Sequence, residues 1–207
     1  MQQPEPCVFI VDDDEAVRGS LKLLLKSVGL PAATYPSAQA FLAAYNSSQP
    51  GCVVLDVRMP GMSGLELQQL LNLRGATVPV IFVTGHGDIP MAVEAMQHGA
   101  FDFLQKPFRD QDLLDRIQRA LELDRATRQQ LKEQDRIRER MQSLTPRERA
   151  VLKLVTSGKP NKVMAADLGV SQRTVEIHRA RVMEKMGASS LAQLVRMVLD
   201  ADPEQPP

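Results

Sequence analysis

The sequence has few of the residues and segments that build disulfide frameworks, zinc sites or membrane spans. Its two cysteines, Cys7 and Cys52, both lie in short apolar runs, so we expect reduced thiols in the core of a cytoplasmic protein. No residues have the spacing of zinc ligands. The apolar runs are shorter than the about 18 residues of a membrane span, and the N-terminus lacks a secretory signal pattern. The sequence therefore predicts no membrane partner.

The charges are unevenly distributed, although the net charge is zero. Residues 1–123 hold 9 basic and 14 acidic residues, a net charge of −5, whereas residues 124–207 hold 16 basic and 11 acidic residues, a net charge of +5. This asymmetry favours a cation site in the first half and a polyanion partner for the second. An accidental surface distribution is the alternative.

The first half alternates between short apolar runs and helical patterns. The strand-like runs are 8–11, 30–34, 52–55, 80–83 and 101–104. The helical patterns lie near 15–28, 37–46, 64–73, 89–98 and 110–122. Because strands that alternate with helices form parallel sheets covered on both faces, the expected fold class is α/β, with a doubly wound five-stranded parallel sheet in residues 1–123.

Polar side chains follow the ends of four of these runs. Asp12 and Asp13 follow the first run, Asp56 the third, Thr84 the fourth and Lys106 the fifth. Ligands of open α/β sheets bind outside the carboxyl ends of the strands, so these groups should gather in one crevice. Carboxylates with a hydroxyl and an ammonium suit a divalent cation and a phosphoryl group. Asp13 and Asp56 fit as direct Mg²⁺ ligands, with Asp12 acting through water.

An enzyme is the remote alternative for the same acidic run. Asp12-x-Asp14 after a strand is similar to the start of the haloacid dehalogenase phosphatases, whose nucleophile is the first Asp of D-x-D-x-[TV]. The fifth position here is Ala16, which departs from that pattern.

Residues 1–123 resemble the receiver domain of bacterial two-component response regulators. The matching segments are VFIVDDDEAVR, VVLDVRMPGMSGLEL, VPVIFVTGHGD and GAFDFLQKPF. The GHGD and DVRMPGMSG runs are most similar to the FixJ subfamily. The resemblance implies a flavodoxin-like sheet and a sensor histidine kinase as the phosphate donor. It also implies a phosphoacceptor protein that is not an enzyme, apart from slow autodephosphorylation.

The resemblance implies a phosphoacceptor and a metal site. Asp56 would accept the phosphoryl group, and Asp12 and Asp13 would form the acidic pair. The metal, Mg²⁺ or Mn²⁺, would be held by Asp12, Asp13, Asp56 and the backbone carbonyl of Arg58.

The resemblance also implies a switch that senses the phosphoryl group. Thr84 would move toward the phosphate, and Phe103 would turn inward behind it. Lys106 would contact the phosphate and would be joined to Pro107 by a cis peptide bond.

Residues 124–142 are polar and lack Gly and Pro. Their large apolar residues are Leu131, Ile137 and Met141. Opposite-charge pairs such as Asp124 with Arg128 would stabilise a helix slightly. We therefore expect a solvated, helical polar linker, either separate from the fifth helix or continuous with it. A paired coiled coil has less support, because the heptad positions do not stay apolar.

Residues 143–200 predict a small all-α domain of four helices, followed by a disordered tail at 201–207. The run Thr145-Pro146-Arg147-Glu148 is typical of a helix start. Residues 161–180, NKVMAADLGVSQRTVEIHRA, have the spacing of a helix-turn-helix. Residues 144–199 hold 10 basic and 4 acidic residues, a net charge of +6, which supports binding to DNA.

The second helix of such a motif enters the major groove with its N-terminal part at the base edges. Val175, Val182 and Met186 recur at core spacing. The residues expected to point outward are Glu176, Ile177, Ala180 and Arg181. Ile177 predicts a thymine methyl contact, with a stray surface isoleucine as the alternative. The residues expected at DNA phosphates are Lys162, Thr174, His178, Arg179 and Lys185.

The second half resembles the LuxR/NarL-type output domain over LTPRERAVLKLVTSGKPNKVMAADLGVSQRTVEIHRARVMEKMGASSLAQLVRMVL. Pro160 and Met164 depart from the common pattern without affecting the expected DNA binding. The combined resemblance implies a cytoplasmic DNA-binding response regulator that dimerises on phosphorylation, binds a double-stranded promoter site and works with RNA polymerase, more often as an activator. The alternative is a DNA-binding regulator that answers another input without phosphorylation.

Overall fold

The computed structural model describes residues 5–85 and 89–201, which form two compact units. The first unit extends to Arg128 and the second begins at Gln129. This division lies inside the segment predicted as a linker, and that segment belongs to the helix Asp110–Gln142.

The first unit is a five-stranded parallel sheet covered by helices. Its strands are β1 (Cys7–Val11), β2 (Ala32–Tyr35), β3 (Gly51–Leu55), β4 (Val80–Thr84) and β5 (Asp102–Gln105). Its helices are α1 (Glu15–Ser27), α2 (Ala38–Ala44), α3 (Gly64–Leu73), α4 (Ile89–Gln97) and the first part of α5 (Asp110–Gln142). The strand order is β2-β1-β3-β4-β5, and every pair is parallel. The predicted fold class is confirmed, and this order is that of the flavodoxin-like sheets.

Helices cover both faces of the sheet, so the central strands are buried throughout. Each residue of β3 and of β4 is buried, which explains why both strands are uninterrupted apolar runs rather than alternating ones. The two cysteines are free thiols on adjacent strands. Cys7 packs in the core on one face of the sheet and Cys52 in the core on the other. Burial raises the pKa of both thiols.

The second unit consists of the end of α5 and four further helices. These are α6 (Pro146–Thr156), α7 (Asn161–Leu168), α8 (Gln172–Met186) and α9 (Leu191–Ala201). The predicted start of α6 is confirmed, because the Thr145 and Glu148 side chains each accept a hydrogen bond from the other's backbone N–H group. Ala201, predicted to be disordered, is instead buried at the end of α9. The rest of that predicted tail, 202–207, lies outside the described residues. Within the described ranges, no helix has the length and apolar character to cross a membrane.

The prediction of a solvated linker is wrong for both ends of the segment. Asp124 is only 1% exposed and accepts a hydrogen bond from the Gly51 N–H group, with an O···N distance of 2.9 Å. Arg128 binds both Asp124 carboxylate oxygens and donates to the carbonyls of Ser47 and Gln49. Near the other end, Ile137 is 3% exposed in the core of the second unit. The two ends are therefore docked, each on its own unit.

Candidate functional site

The carboxyl ends of β1, β3, β4 and β5 bring most of the predicted polar groups into one crevice. The ammonium nitrogen of Lys106 lies 3.0 Å from Asp12 Oδ2 and 3.5 Å from Asp56 Oδ1. Thr84 is buried at the end of β4, and its carbonyl accepts the backbone N–H of Lys106. Asp13 differs from the others because its side chain is exposed. The Lys106–Pro107 peptide bond is cis, as expected.

Local backbone contacts orient the two buried carboxylates. Asp56 Oδ2 accepts the N–H of Arg58 at 2.8 Å, and Asp12 Oδ1 accepts the N–H of Asp14 at 2.9 Å. The other oxygen of each carboxylate faces Lys106. The Asp14 side chain accepts the N–H groups that open α1. It therefore acts as a helix cap.

The electrostatics of the crevice favour binding of an added cation. Burial raises the pKa of Asp56, and the neighbouring Asp12 raises it further, whereas the Arg58 N–H group and the Lys106 ammonium lower it. The net shift is upward. Two carboxylates facing one ammonium leave a surplus of negative charge that a divalent cation would neutralise.

The metal ligand set expected from the sequence is only partly assembled. Among residues 5–85 and 89–201, no three or more His, Cys, Asp or Glu side chains are placed to hold a metal ion together. Asp12 and Asp56 are brought together at Lys106. The side chain of Asp13, the residue that follows Asp12, is exposed. Because Mg²⁺ keeps several waters and takes only one or two carboxylates, an all-oxygen site with two buried carboxylates still fits it.

Gly64 allows the close approach of α3 to the segment that carries Asp56, although no sequence pattern selected this residue. It is the first residue of α3, and a Cβ atom there would overlap the backbone carbonyl oxygen of Asp56. Its N–H group donates to the Val57 carbonyl at 2.9 Å. A side chain at this position would displace the segment that carries Asp56. The only sequence signal was a glycine directly after the capping Ser63, where a helix start does not require one.

The predicted switch residues lie on neighbouring strands. Thr84 ends β4, and the half-buried Phe103 lies in β5. The ring of Phe103 packs against Phe82, with 6.4 Å between the ring centroids. Phe103 therefore has core contacts on one side and solvent on the other.

The predicted helix-turn-helix consists of α7 and α8. Gly169 ends α7 in the left-handed conformation, and the Ser171 side chain caps α8. The predicted core face of α8 is confirmed by the burial of Val175, Val182 and Met186. Three of the residues predicted to point outward as DNA contacts, Glu176, Ile177 and Arg181, are exposed, and Ile177 is 48% exposed.

The residues expected at DNA phosphates differ in their contacts. Lys162 is exposed. Thr174 shares a hydrogen bond with the Ser171 hydroxyl at 2.8 Å, and Arg179 donates to the Asn161 side chain. His178 is half-buried, and its Nδ1 atom has no hydrogen-bond partner within the described part of the chain. Arg179 is therefore already engaged within the domain.

Lys185 has a structural contact that the sequence did not reveal. Its ammonium lies 2.7 Å from Glu148 Oε2, and the Glu148 side chain is only 3% exposed. The hydrogen bond from Lys185, together with that from the Thr145 N–H group, lowers the pKa of Glu148 to about 2. The ion pair joins α8 to α6, so loss of Lys185 would destabilise the domain besides removing a positive charge from its surface.

The Glu148–Lys185 pair makes the stability of the second unit dependent on pH in the acidic range. Because the folded-state pKa of Glu148 is about 2 and its ordinary value is 4.5, the pair contributes fully above pH 4.5 and its contribution is lost as pH falls toward 2. We expect Glu148→Gln to lower stability at pH 7 and to flatten the loss between pH 4.5 and 2. Thermal melts of both chains across that range measure the effect. Parallel pH curves for the two chains would contradict it.

Comparison with known proteins assigns each half to a family. Residues 8–118 match the response regulator receiver domain, and residues 142–198 match the luxR family of bacterial regulatory proteins. The chain is 49% identical over 190 residues to nodulation protein W of Bradyrhizobium diazoefficiens, covering 92% of this chain and 84% of that protein. It is 50% identical over 192 residues to the transcriptional regulatory protein FixJ of Azorhizobium caulinodans, covering 93% and 91%. A solved structure of the response regulator StyR is 47% identical, with a TM-score of 0.84 over 94% of this chain and 98% of that one.

Proposed function

The chain belongs to the two-component response regulators that join a receiver domain to a LuxR-family DNA-binding domain, and on that premise we propose that phosphorylation of Asp56 controls its binding to DNA. The observation that carries the proposal is the crevice in which Lys106 bridges Asp12 and Asp56. It presents a carboxylate nucleophile beside a cation that can hold a phosphoryl oxygen.

The phosphoryl donor would be the phosphohistidine of a sensor kinase. An Asp56 oxygen attacks phosphorus, a P–O bond forms, and the P–N bond to the donor imidazole breaks. Lys106, which now contacts both carboxylates, would then bind an oxygen of the phosphoryl group. This chemistry needs alignment and charge neutralisation more than covalent help from the protein, so the chain is a phosphoacceptor rather than a catalyst.

The residues proposed to hold Mg²⁺ (or Mn²⁺) are Asp12, Asp13, Asp56 and the Arg58 backbone carbonyl. When bound, the ion would neutralise charge on the transferred phosphoryl group. The surplus negative charge around Lys106 supports this assignment, and Asp12 would act through a water.

The phosphoryl group would be sensed by Thr84 and Phe103. Thr84 would shift toward it, and Phe103 would move from its half-exposed position into the space behind Thr84. The α4 and β5 surface would then favour a homodimer. Phosphate can shift this equilibrium only by binding the active form more tightly than the inactive one.

The output would be a pair of α8 helices presented to a double-stranded promoter site in the cytoplasm. Glu176, Ile177 and Arg181 would face base edges, because they are exposed on the helix that enters the groove. The surrounding phosphates would be contacted by Lys162, Thr174, His178, Arg179 and Lys185. We propose activation through RNA polymerase as the consequence.

Footprinting of fragments from the source genome, with and without phosphorylation by acetyl phosphate and Mg²⁺, tests this function. We expect a two-fold symmetric protected site that the phosphorylated chain binds more tightly. Protection that is unchanged after stoichiometric phosphorylation would instead favour the regulator that answers another input.

A further inference from the structure

The last turn of α5 contacts the C-terminal end of α8, the helix proposed to read DNA. The Arg140 guanidinium donates to the carbonyl oxygen of Met186 at 2.9 Å. Met186 is the last residue of α8 and is fully buried. Arg140 precedes the segment matched by the luxR family, which begins at residue 142, so the family match assigns it no role.

The contact supplies a hydrogen-bond donor to a carbonyl group at the C-terminal end of α8. The Gly187 and Ala188 N–H groups bind the carbonyls of Glu184 and Met183, which leaves the Met186 carbonyl to another donor. Arg140 supplies that donor together with a positive charge, and a cation at a helix C-terminus is favourable.

Gly187 provides the space in which the guanidinium lies. A Cβ atom at this position would lie 3.1 Å from Arg140 Nη1 and 3.5 Å from its Cζ atom. The Arg140 group therefore packs closely over a backbone that has no side chain. Two residues of the same helix fix its approach, because Ile137 is buried in the core and Arg138 donates to the Ala201 carbonyl at the end of α9, at 3.2 Å.

We propose that Arg140 is a positioning residue for base recognition, acting through the C-terminal end of α8 rather than through DNA. This inference rests on the proposed function of α8. The helix has 15 residues, and at 1.5 Å per residue a tilt of about 5° around one end moves the other end by about 2 Å. Such a shift breaks base-edge hydrogen bonds, which need 2.7–3.2 Å, but changes the attraction to phosphates little.

The test compares Arg140→Ala with Arg136→Ala in the phosphorylated full chain. Arg136 is a matched control, since it lies one turn earlier in α5 and pairs only with the exposed Glu133 among the described residues. Both variants remove one positive charge. The probes are the fragment protected in the footprinting experiment and a shuffled fragment of the same length, each titrated over a series of salt concentrations.

We expect Arg140→Ala to bind the protected fragment about fivefold more weakly than Arg136→Ala does, the lower end of the effect of losing one base contact. Binding to the shuffled fragment and the salt slope should be the same in both variants. Arg140→Lys, which keeps a hydrogen-bond donor and the positive charge, should restore part of the lost affinity.

Equal binding of the protected fragment by the two alanine variants would overturn the proposal. A salt slope lower by about 1 in Arg140→Ala alone would also overturn it, because that result indicates a direct phosphate contact.

Hydrogen exchange without DNA provides an independent measurement. The amides of residues 183–188 should exchange faster in Arg140→Ala than in Arg136→Ala, and unchanged exchange would overturn the proposed contact. A wild-type chain that protects no fragment would mean that the proposed function has failed. The exchange result would still decide whether Arg140 holds the end of α8.

Discussion

Asp56→Asn is expected to abolish stable phosphorylation by acetyl phosphate in the presence of Mg²⁺, whereas the wild-type chain takes up one phosphoryl group. The amide removes the nucleophilic oxygen that faces Lys106 and keeps the size of the side chain. It also leaves an acceptor for the Arg58 N–H group, so the fold should be retained. Mass spectrometry of the intact chain before and after treatment measures the difference.

Asp14→Asn provides the control for this experiment. The Asp14 side chain caps α1, and Asn serves equally well at that position, so this variant should still take up one phosphoryl group. A phosphoryl group on Asp56→Asn at the wild-type level would disprove the assignment of the phosphoacceptor. If it were then lost on replacing Asp12, the phosphatase alternative would gain support.

Arg128→Ala is expected to destabilise the first unit by about 3 kcal/mol, the lower end of the cost of breaking a buried ion pair. The substitution leaves the carboxylate of Asp124 buried without its cation. It also removes the donors that bind the Ser47 and Gln49 carbonyls. Urea denaturation followed by hydrogen exchange of β3 amides measures the loss and locates it.

Two variants test the origin of that loss. Arg109 lies directly before α5 and pairs with Asp112, but its side chain is 85% exposed, so Arg109→Ala should cost much less stability than Arg128→Ala does. Adding Asp124→Asn to Arg128→Ala removes the unpaired charge while keeping an acceptor for Gly51, and should recover part of the stability. If Arg128→Ala cost no more than Arg109→Ala, the buried pair would contribute nothing beyond an ordinary surface pair.

The position of the crevice was predictable from local sequence features. Apolar runs of four or five residues marked the strands, and polar residues one or two positions after four of these runs marked the edge of the sheet. Because parallel strands all end at the same edge, Asp12, Asp56, Thr84 and Lys106 could be placed together without a structure. The exposure of Asp13 could not be predicted, since adjacent residues after a strand point in different directions.

The helix-turn-helix was predictable for a similar reason. Its caps and glycines are short-range signals, and the spacing of Val175, Val182 and Met186 identified the buried face of α8. The contact between Lys185 and Glu148 joins residues 37 positions apart in the chain. No helical or strand periodicity relates such distant residues, so Lys185 was predicted only as a phosphate contact.

Short-range patterns and the common direction of parallel strands define the two domains, the order of the elements and most of the residues that line the crevice. Which charges are buried, in contrast, depends on contacts between segments that are far apart in the chain. Asp124 and Arg128 are an ordinary pair one helical turn apart in the sequence, but packing of α5 against the start of β3 leaves the Asp124 side chain 2% exposed and that of Arg128 17% exposed. Breaking a buried ion pair costs more stability than breaking an exposed one. The burial of this pair depends on the packing of segments that are far apart in the sequence.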